Sequence, residues 1–316
     1  MRTARVRYDE GPCCYHAMNR VAGEPGYLPF GEAEKEMFFR LAGKLTRFYR
    51  IDLLSLVVMG NHWHAVCVTY PGLPSLSEMR ERFKAYYGPK RAEPNWANRS
   101  VRRRVGKRMR DLSMFFKDLQ QSFSSWFNET RPQGRQGRLW AGRYKSVILE
   151  GESALWECLK YVEMNPVRAG LCADPSEYRF GTLGRLLASG QHPFGGALVE
   201  QLRDHLGESA AEYSDERVIA EFCADIARVA AAERGEPSDA ILAAEKAARM
   251  TVPTRLRITR RVRYWTDGAI IGSKRFVLNM TAAVFGQARV KTKRLGTTET
   301  GDGTVLFTFR RVRDSI

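Results

Sequence analysis

The stretch "GNHWHAVC", residues 60–67, holds two of the five histidines in a chain of 316 residues. His62 and His64 are one residue apart. On a β-strand, residues i and i+2 point to the same face. The two imidazoles therefore share one face, continued by Val66 and Val68, while Trp63, Ala65 and Cys67 line the other. Imidazoles about 7 Å apart along a strand can converge on one divalent ion. Taken alone the spacing is a weak signal, because H-x-H also arises by chance.

A second pair lies much further along. In "ALWECLKYVEMNP", Tyr161 and Asn165 are four residues apart, one turn apart on one helix face. A phenol hydroxyl beside a metal can act as a nucleophile, and an amide oxygen suits a hard cation alongside imidazoles. The competing reading makes Tyr161 an amphipathic core residue and Asn165 a helix C-cap before proline. On sequence physics alone that reading is the stronger. Tyr144, in "AGRYKS", is a rival nucleophile, but it precedes the helix and sits between Arg143 and Lys145, which reads as sheet or groove structure. His16 reads as a satisfied strand histidine that could neighbour the site. His192 and His205 read as surface residues.

Lys and Arg total 51 against 35 Asp and Glu, a net charge of +16. So positive a balance favours a polyanionic partner, most commonly nucleic acid. Arg102, Arg103, Arg104, Lys107, Arg108 and Arg110 put six cations into nine positions with no carboxylate among them. That exceeds what solubility needs and favours phosphate contact over a merely solvated helix face. Arg138, Arg143 and Lys145 precede the Tyr161 helix and are candidates to hold a nucleic-acid backbone. Trp140 either stacks on a base or packs under its strand. Residues 251–316 carry fourteen Lys and Arg against four Asp and Glu. There Arg260, Arg261, Arg263, Lys274 and Arg275 form a candidate second DNA-binding surface; alternatively the region packs on the first domain.

The elements that must position these residues follow from the pattern. "CCYHAMNRV" (13–21) reads as a strand and 30–49 as an amphipathic helix. "IDLLSLVVM" (51–59) and "HWHAVCVTY" (62–70) read as strands of a hairpin joined at Gly60-Asn61. Residues 76–88 read as a helix, 89–110 as a basic loop running into a helix, and 111–130 as a strong amphipathic helix. Residues 131–151 begin as a Gly-rich loop and end as a strand. The helix at 152–165 is expected to stop at Pro166, because the residue before proline is pushed from helical geometry. This order gives an α+β sheet layer covered by helices. The length prior of roughly 150 residues per domain predicts about two domains. Ala-rich helices over about 196–250 suggest a small bundle before the basic C-terminal region. No apolar run approaches the ~20 residues of a membrane span, and the N-terminus shows no apolar signal segment. Six cysteines without a C-x-x-C pair read as free thiols in a reducing cytoplasm.

Two stretches together, "VVMGNHWHAVCV" and "GRLWAGRYKSVILEGESALWECLKYVEMNPVRAGL", resemble the single-tyrosine HUH transposases. Among these they look most like the REP-associated tyrosine transposases, relatives of the insertion-sequence-200 group. The family pattern is a strand with His-hydrophobic-His, a W-x-x-R-[YF] strand, and a helix bearing Tyr before N-P-V-[RK]-x-G. Order and spacing match over residues 5–185. This chain departs in having Gly60 where Pro is usual and Trp63 between the histidines; Asn165 stands where other HUH transposases use Gln.

The resemblance implies a ferredoxin-like antiparallel sheet with helices, the HUH strand at its centre. It implies His62, His64 and Asn165 as ligands of Mg²⁺ or Mn²⁺, and Tyr161 as the nucleophile. The substrate it implies is single-stranded DNA beside hairpin-forming palindromes, cut to leave a 5′-phosphotyrosine link and a free 3′-OH. It places the transposase or nuclease domain at 1–190 with a basic insertion at 89–110. A helical segment at 191–250 and a basic C-terminal region at 251–316, a candidate DNA-binding module, follow. A bacterial, cytoplasmic, nucleoid-associated protein is expected, with monomer and dimer both open. Two other classes compete. One is a domesticated, non-catalytic DNA-binding regulator. The other is a metal hydrolase using activated water, for which no general-base carboxylate stands near the histidine pair.

Overall fold

The computed structural model of the chain describes residues 8–24, 26–131, 134–234, 262–292, 295–299 and 305–309. Four strands form the middle of the fold: β1 (Cys13–Arg20), β2 (Ile51–Val58), β3 (His62–Thr69) and β4 (Lys145–Leu149). They pair antiparallel in the order β2-β3-β1-β4. Helix α1 (Glu32–Thr46) joins β1 to β2. Helices α2 (Leu76–Tyr87), α3 (Arg99–Met109) and α4 (Leu112–Glu129) lie between β3 and β4. This is the expected ferredoxin-like arrangement, with the histidine strand inside the sheet. The Met59 N–H donates to the His62 carbonyl at 2.8 Å, which closes the hairpin through Gly60-Asn61.

Alternation along β3 assigns its two faces. Trp63 is fully buried and stacks on Phe116 of α4 at 5.1 Å between ring centroids, with Phe38 of α1 at 5.7 Å. Helices α1 and α4 therefore cover the Trp63 face. Helix α4 reaches it because Phe116, Leu119, Phe123 and Phe127 recur at helical spacing and are all buried. Each such side chain removed from water contributes about 1.5–3 kcal/mol. Asp111 fixes where α4 begins by accepting from the Ser113 and Met114 N–H groups at 2.8 and 3.1 Å.

The histidine face is covered by α5 (Ser153–Glu163). Pro166 does not end the helical path as expected. A second short helix, α6 (Asn165–Arg168), follows after Met164, which keeps helical torsions. Proline falls in the first turn of α6, where its missing N–H leaves no acceptor unsatisfied. The Met164 carbonyl accepts from the Arg168 N–H at 3.1 Å.

After α7 (Thr182–Ser189), helix α8 (Ala197–Leu206) packs against α5 and β2, and α9 (Asp215–Arg234) packs against α8 and reaches α5 through Asp225. The Ala-rich segment thus covers α5. The Trp156 indole donates to Asp225 at 2.8 Å, and the Lys160 ammonium donates to Glu157 and Asp225 at 2.7 Å each. Two histidines expected at the surface are half-buried here. His192 Nε2 lies 2.9 Å from the Leu54 carbonyl, and His205 stacks on Trp156 at 4.3 Å.

The boundary expected near residue 250 lies outside the described residues. Beyond it, α10 (Val262–Asp267) leads into β5 (Ile270–Gly272). Then come α11 (Lys274–Phe285), α12 (Gln287–Thr292), β6 (Gly296–Glu299) and β7 (Val305–Thr308). Strand β5 pairs parallel with β4, so the sheet runs β2-β3-β1-β4-β5-β7-β6 and is mixed. The antiparallel expectation holds for the first four strands, and the C-terminal segment adds the parallel joint. Among the described residues no helix is long and apolar enough to cross a membrane. All six cysteines are free thiols.

Candidate functional site

His62, His64, Tyr161 and Asn165 line one cleft of about 790 Å³. β3 carries the histidines on the face that α5 covers, so Tyr161 comes down over them. The His64 and Tyr161 rings meet edge-on at 5.7 Å, and the His62 and His64 rings lie 5.3 Å apart. Asn165, one turn on, donates from its amide nitrogen to the Tyr161 carbonyl at 2.9 Å and the Val162 carbonyl at 3.1 Å. Two carbonyl acceptors fix which end of the amide is nitrogen. The oxygen is left on the other side.

The hydrogen bonds also assign the histidine tautomers. His62 Nδ1 lies 2.8 Å from Asn61 Oδ1, while the Asn61 amide nitrogen donates to the Tyr27 carbonyl at 3.0 Å. An amide oxygen only accepts, so His62 carries its proton on Nδ1 and keeps a lone pair on Nε2. His64 Nδ1 lies 3.0 Å from His16 Nε2, and His16 Nδ1 lies 2.9 Å from the Trp265 carbonyl.

Burial pushes the pKa of His62 down to about 4, with the Arg20 charge adding to the effect. His16 also falls to about 4 through burial, opposed by its bond to the Trp265 carbonyl. His64 is driven well below the ordinary imidazole value by burial, then by His16, His62 and Arg168. All three are neutral at pH 7, the form in which imidazole binds a metal. Burial raises the Tyr161 pKa above the ordinary phenol value, while Arg168 opposes it. The Arg168 guanidinium lies 5.4 Å from the Tyr161 ring centroid and donates to the Tyr161 carbonyl at 3.1 Å.

Among the described residues no group of three His, Cys, Asp or Glu side chains gathers as a metal cage. The side chains that could hold a divalent ion here are two imidazoles and the Asn165 amide oxygen.

The cations divide by sheet face. Arg143 and Lys145 line the cleft, joined by Arg20, which sequence reasoning missed. Arg20 sits opposite His62 in the β1–β3 register. Its signal was its place at the end of a strand whose pairing was still unknown. Lys145 pairs with Asp267 at 2.7 Å. Arg138 is exposed on the loop before β4 and does not line the cleft. The α3 cations lie elsewhere. Lys107 and Arg110 border a pocket with Tyr15 and Tyr144, on the opposite side of the sheet. Arg102 donates to the Trp96 carbonyl at 2.9 Å, Arg108 pairs with Asp118 at 2.8 Å, and Arg110 lies 3.6 Å from Asp9. Arg103, Arg104 and Lys107 are exposed.

Tyr144 is buried, with its hydroxyl 3.3 Å from Ser113 Oγ, away from the cleft. Trp140 packs under the sheet and donates to the Gln120 carbonyl at 3.2 Å. Arg260 and Arg261 lie outside the described residues, as does the side chain of Arg263. Lys274 and Arg275 are exposed in the first turn of α11.

Neither protein-family models nor curated proteins give a match to the chain. Among solved structures it is similar to one described as a REP-associated tyrosine transposase bound to a REP hairpin. The two share 16% identity over 63% of this chain and 93% of that one, with a TM-score of 0.40. The likeness is distant.

Proposed function

We propose that the protein is a metal-dependent DNA strand transferase of the HUH type, cutting and rejoining single-stranded DNA beside hairpins. The observation that carries this reading is the convergence of two strand histidines, a helix tyrosine and an asparagine one turn on, in one cleft edged by cations. Tyr161 Oη attacks the scissile phosphorus, the bond from phosphorus to O3′ breaks, and the leaving oxygen departs as a 3′-OH after gaining a proton. The product is a 5′-phosphotyrosine ester. One phosphodiester replaces another, so the bond energy is kept for rejoining and no external energy source is needed.

His62, His64 and Asn165 would hold Mg²⁺ or Mn²⁺, which when bound would supply Lewis-acid polarisation of a phosphate. Arg168 places positive charge beside the phenol, which favours loss of its proton. Arg20, Arg143 and Lys145 hold the DNA backbone against the cleft. The Trp265 ring and the His16 and His64 imidazoles pack around the Tyr161 ring and limit its rotamers.

The test is incubation with end-labelled single-stranded hairpin DNA and Mn²⁺, followed by a denaturing gel. A protein–DNA adduct is expected, absent in Tyr161→Phe. An adduct that survives in Tyr161→Phe removes the nucleophile assignment. Cleavage without adduct supports the hydrolase reading, and binding without cleavage the regulator.

A further inference from the structure

His16 is the most completely enclosed polar group near the cleft, with no exposed surface. It does not line the cleft. Its two ring nitrogens are both engaged, one with a backbone carbonyl and one with His64. A carbonyl only accepts, so the bond to Trp265 requires the proton on His16 Nδ1. A buried imidazole between a carbonyl and a second imidazole is neutral, because burial penalises the cation. His16 Nε2 is then a bare lone pair. The only hydrogen that can occupy the 3.0 Å separation from His64 Nδ1 is one carried by His64. A neutral His64 with Nδ1–H has its lone pair on Nε2.

We propose that His16 is a positioning residue that locks His64 as the Nδ1–H tautomer with its Nε2 lone pair toward the cleft, and that α10, through the Trp265 carbonyl, anchors this relay. Helix α10 is built into the site at three further points. The Trp265 ring stacks on Tyr161 at 6.1 Å and 27°. Thr266 forms part of the cleft wall. Asp267 pairs with Lys145. The C-terminal segment therefore completes the site from behind.

Outer partners of metal-bound histidines fix ring orientation and tautomer, and losing one costs about ten- to a hundredfold in metal affinity. That consequence for metal binding rests on the function proposed above. The tautomer itself does not.

The experiment has two arms. In the first, long-range ¹H–¹⁵N correlation spectra of the metal-free, full-length protein report the protonated nitrogen of each histidine, assigned with His16→Gln and His64→Gln. Nδ1–H is expected for both His16 and His64. Finding His64 protonated on Nε2 overturns the proposal, whatever the variants do. In the second, Mn²⁺ binding is titrated by the electron paramagnetic resonance of free Mn²⁺. His16→Leu should weaken binding about ten- to a hundredfold. His16→Gln, whose amide can donate to the Trp265 carbonyl and accept from His64, should restore most of it. Unchanged affinity in His16→Leu overturns the positioning role. If the wild-type protein shows both Nδ1–H tautomers but binds no Mn²⁺, the metal-dependent function fails while the relay stands.

Discussion

At the scale of single residues, burial governs which groups can react. The Cys13 and Cys14 thiols are pushed up to about 12 by burial, and Cys67 and Cys158 lie well above the ordinary thiol value for the same reason. Half-exposed Cys172 and Cys223 are raised to about 11. A thiolate is the nucleophile toward iodoacetamide. With every folded-state pKa above 8.5, native protein at pH 8 should react slowly and only at Cys172 and Cys223. The rate should rise nearly tenfold per pH unit from 7 to 9. Unfolding in urea should release all six, counted by mass spectrometry. Rapid labelling of Cys14 or Cys67 in native protein would contradict this burial.

At the scale of elements, the joint between β4 and β5 is where the site meets the C-terminal segment. Gly272 sits there with no room for a side chain. A Cβ at that position would lie 2.6 Å from Glu150 Cβ and 2.7 Å from the Phe276 ring. The Glu150 carboxylate accepts from the Ser273 N–H and, at 3.0 Å, from the Ser273 hydroxyl. Gly272→Val should therefore lower stability by about 1–3 kcal/mol through overpacking, read by urea denaturation. It should also lower adduct yield, because α10 shifts with β5. A variant with wild-type stability and adduct yield would show that the joint is slack.

Much of this scale was legible from local pattern. The period-2 alternation around His62 separated the two faces of β3 correctly, and the one-turn spacing of Tyr161 and Asn165 put them on one side of the α5–α6 path. Pro166 misled because the rule against helical geometry before proline is a bias, and a new helix can begin with proline inside its first turn. The partner of His16 was not legible at all. Trp265 stands 249 residues away in a helix, and no pattern within either segment encodes a side-chain contact between them.

At the scale of the whole molecule, described cations fall on two sides of the sheet. The cleft holds Arg20, Arg143 and Lys145, while α3 presents Arg103, Arg104 and Lys107 on the other side. These sets should separate in a salt titration of single-stranded DNA binding. Each phosphate contact contributes about −0.7 to the slope of log K against log salt. Arg143→Ala with Lys145→Ala should flatten the slope by about 1 to 1.5 and also slow adduct formation at saturating DNA. Replacing Arg103, Arg104 and Lys107 together should change affinity alone, with adduct formation at saturation unaltered. A loss of the chemical step in the α3 variant would mean that DNA reaches around the sheet to the cleft.

The parallel seam between β4 and β5 has a practical side. The Ile148 N–H donates to the Ala269 carbonyl and the Glu150 N–H to the Ile271 carbonyl, each at 2.9 Å. A fragment ending at residue 190, where the sequence places its first boundary, would strip those acceptors away. Strand β4 would become a bare, apolar edge of the kind that templates intermolecular pairing. Such a fragment would retain His62, His64, Tyr161 and Asn165, yet it would be prone to aggregate.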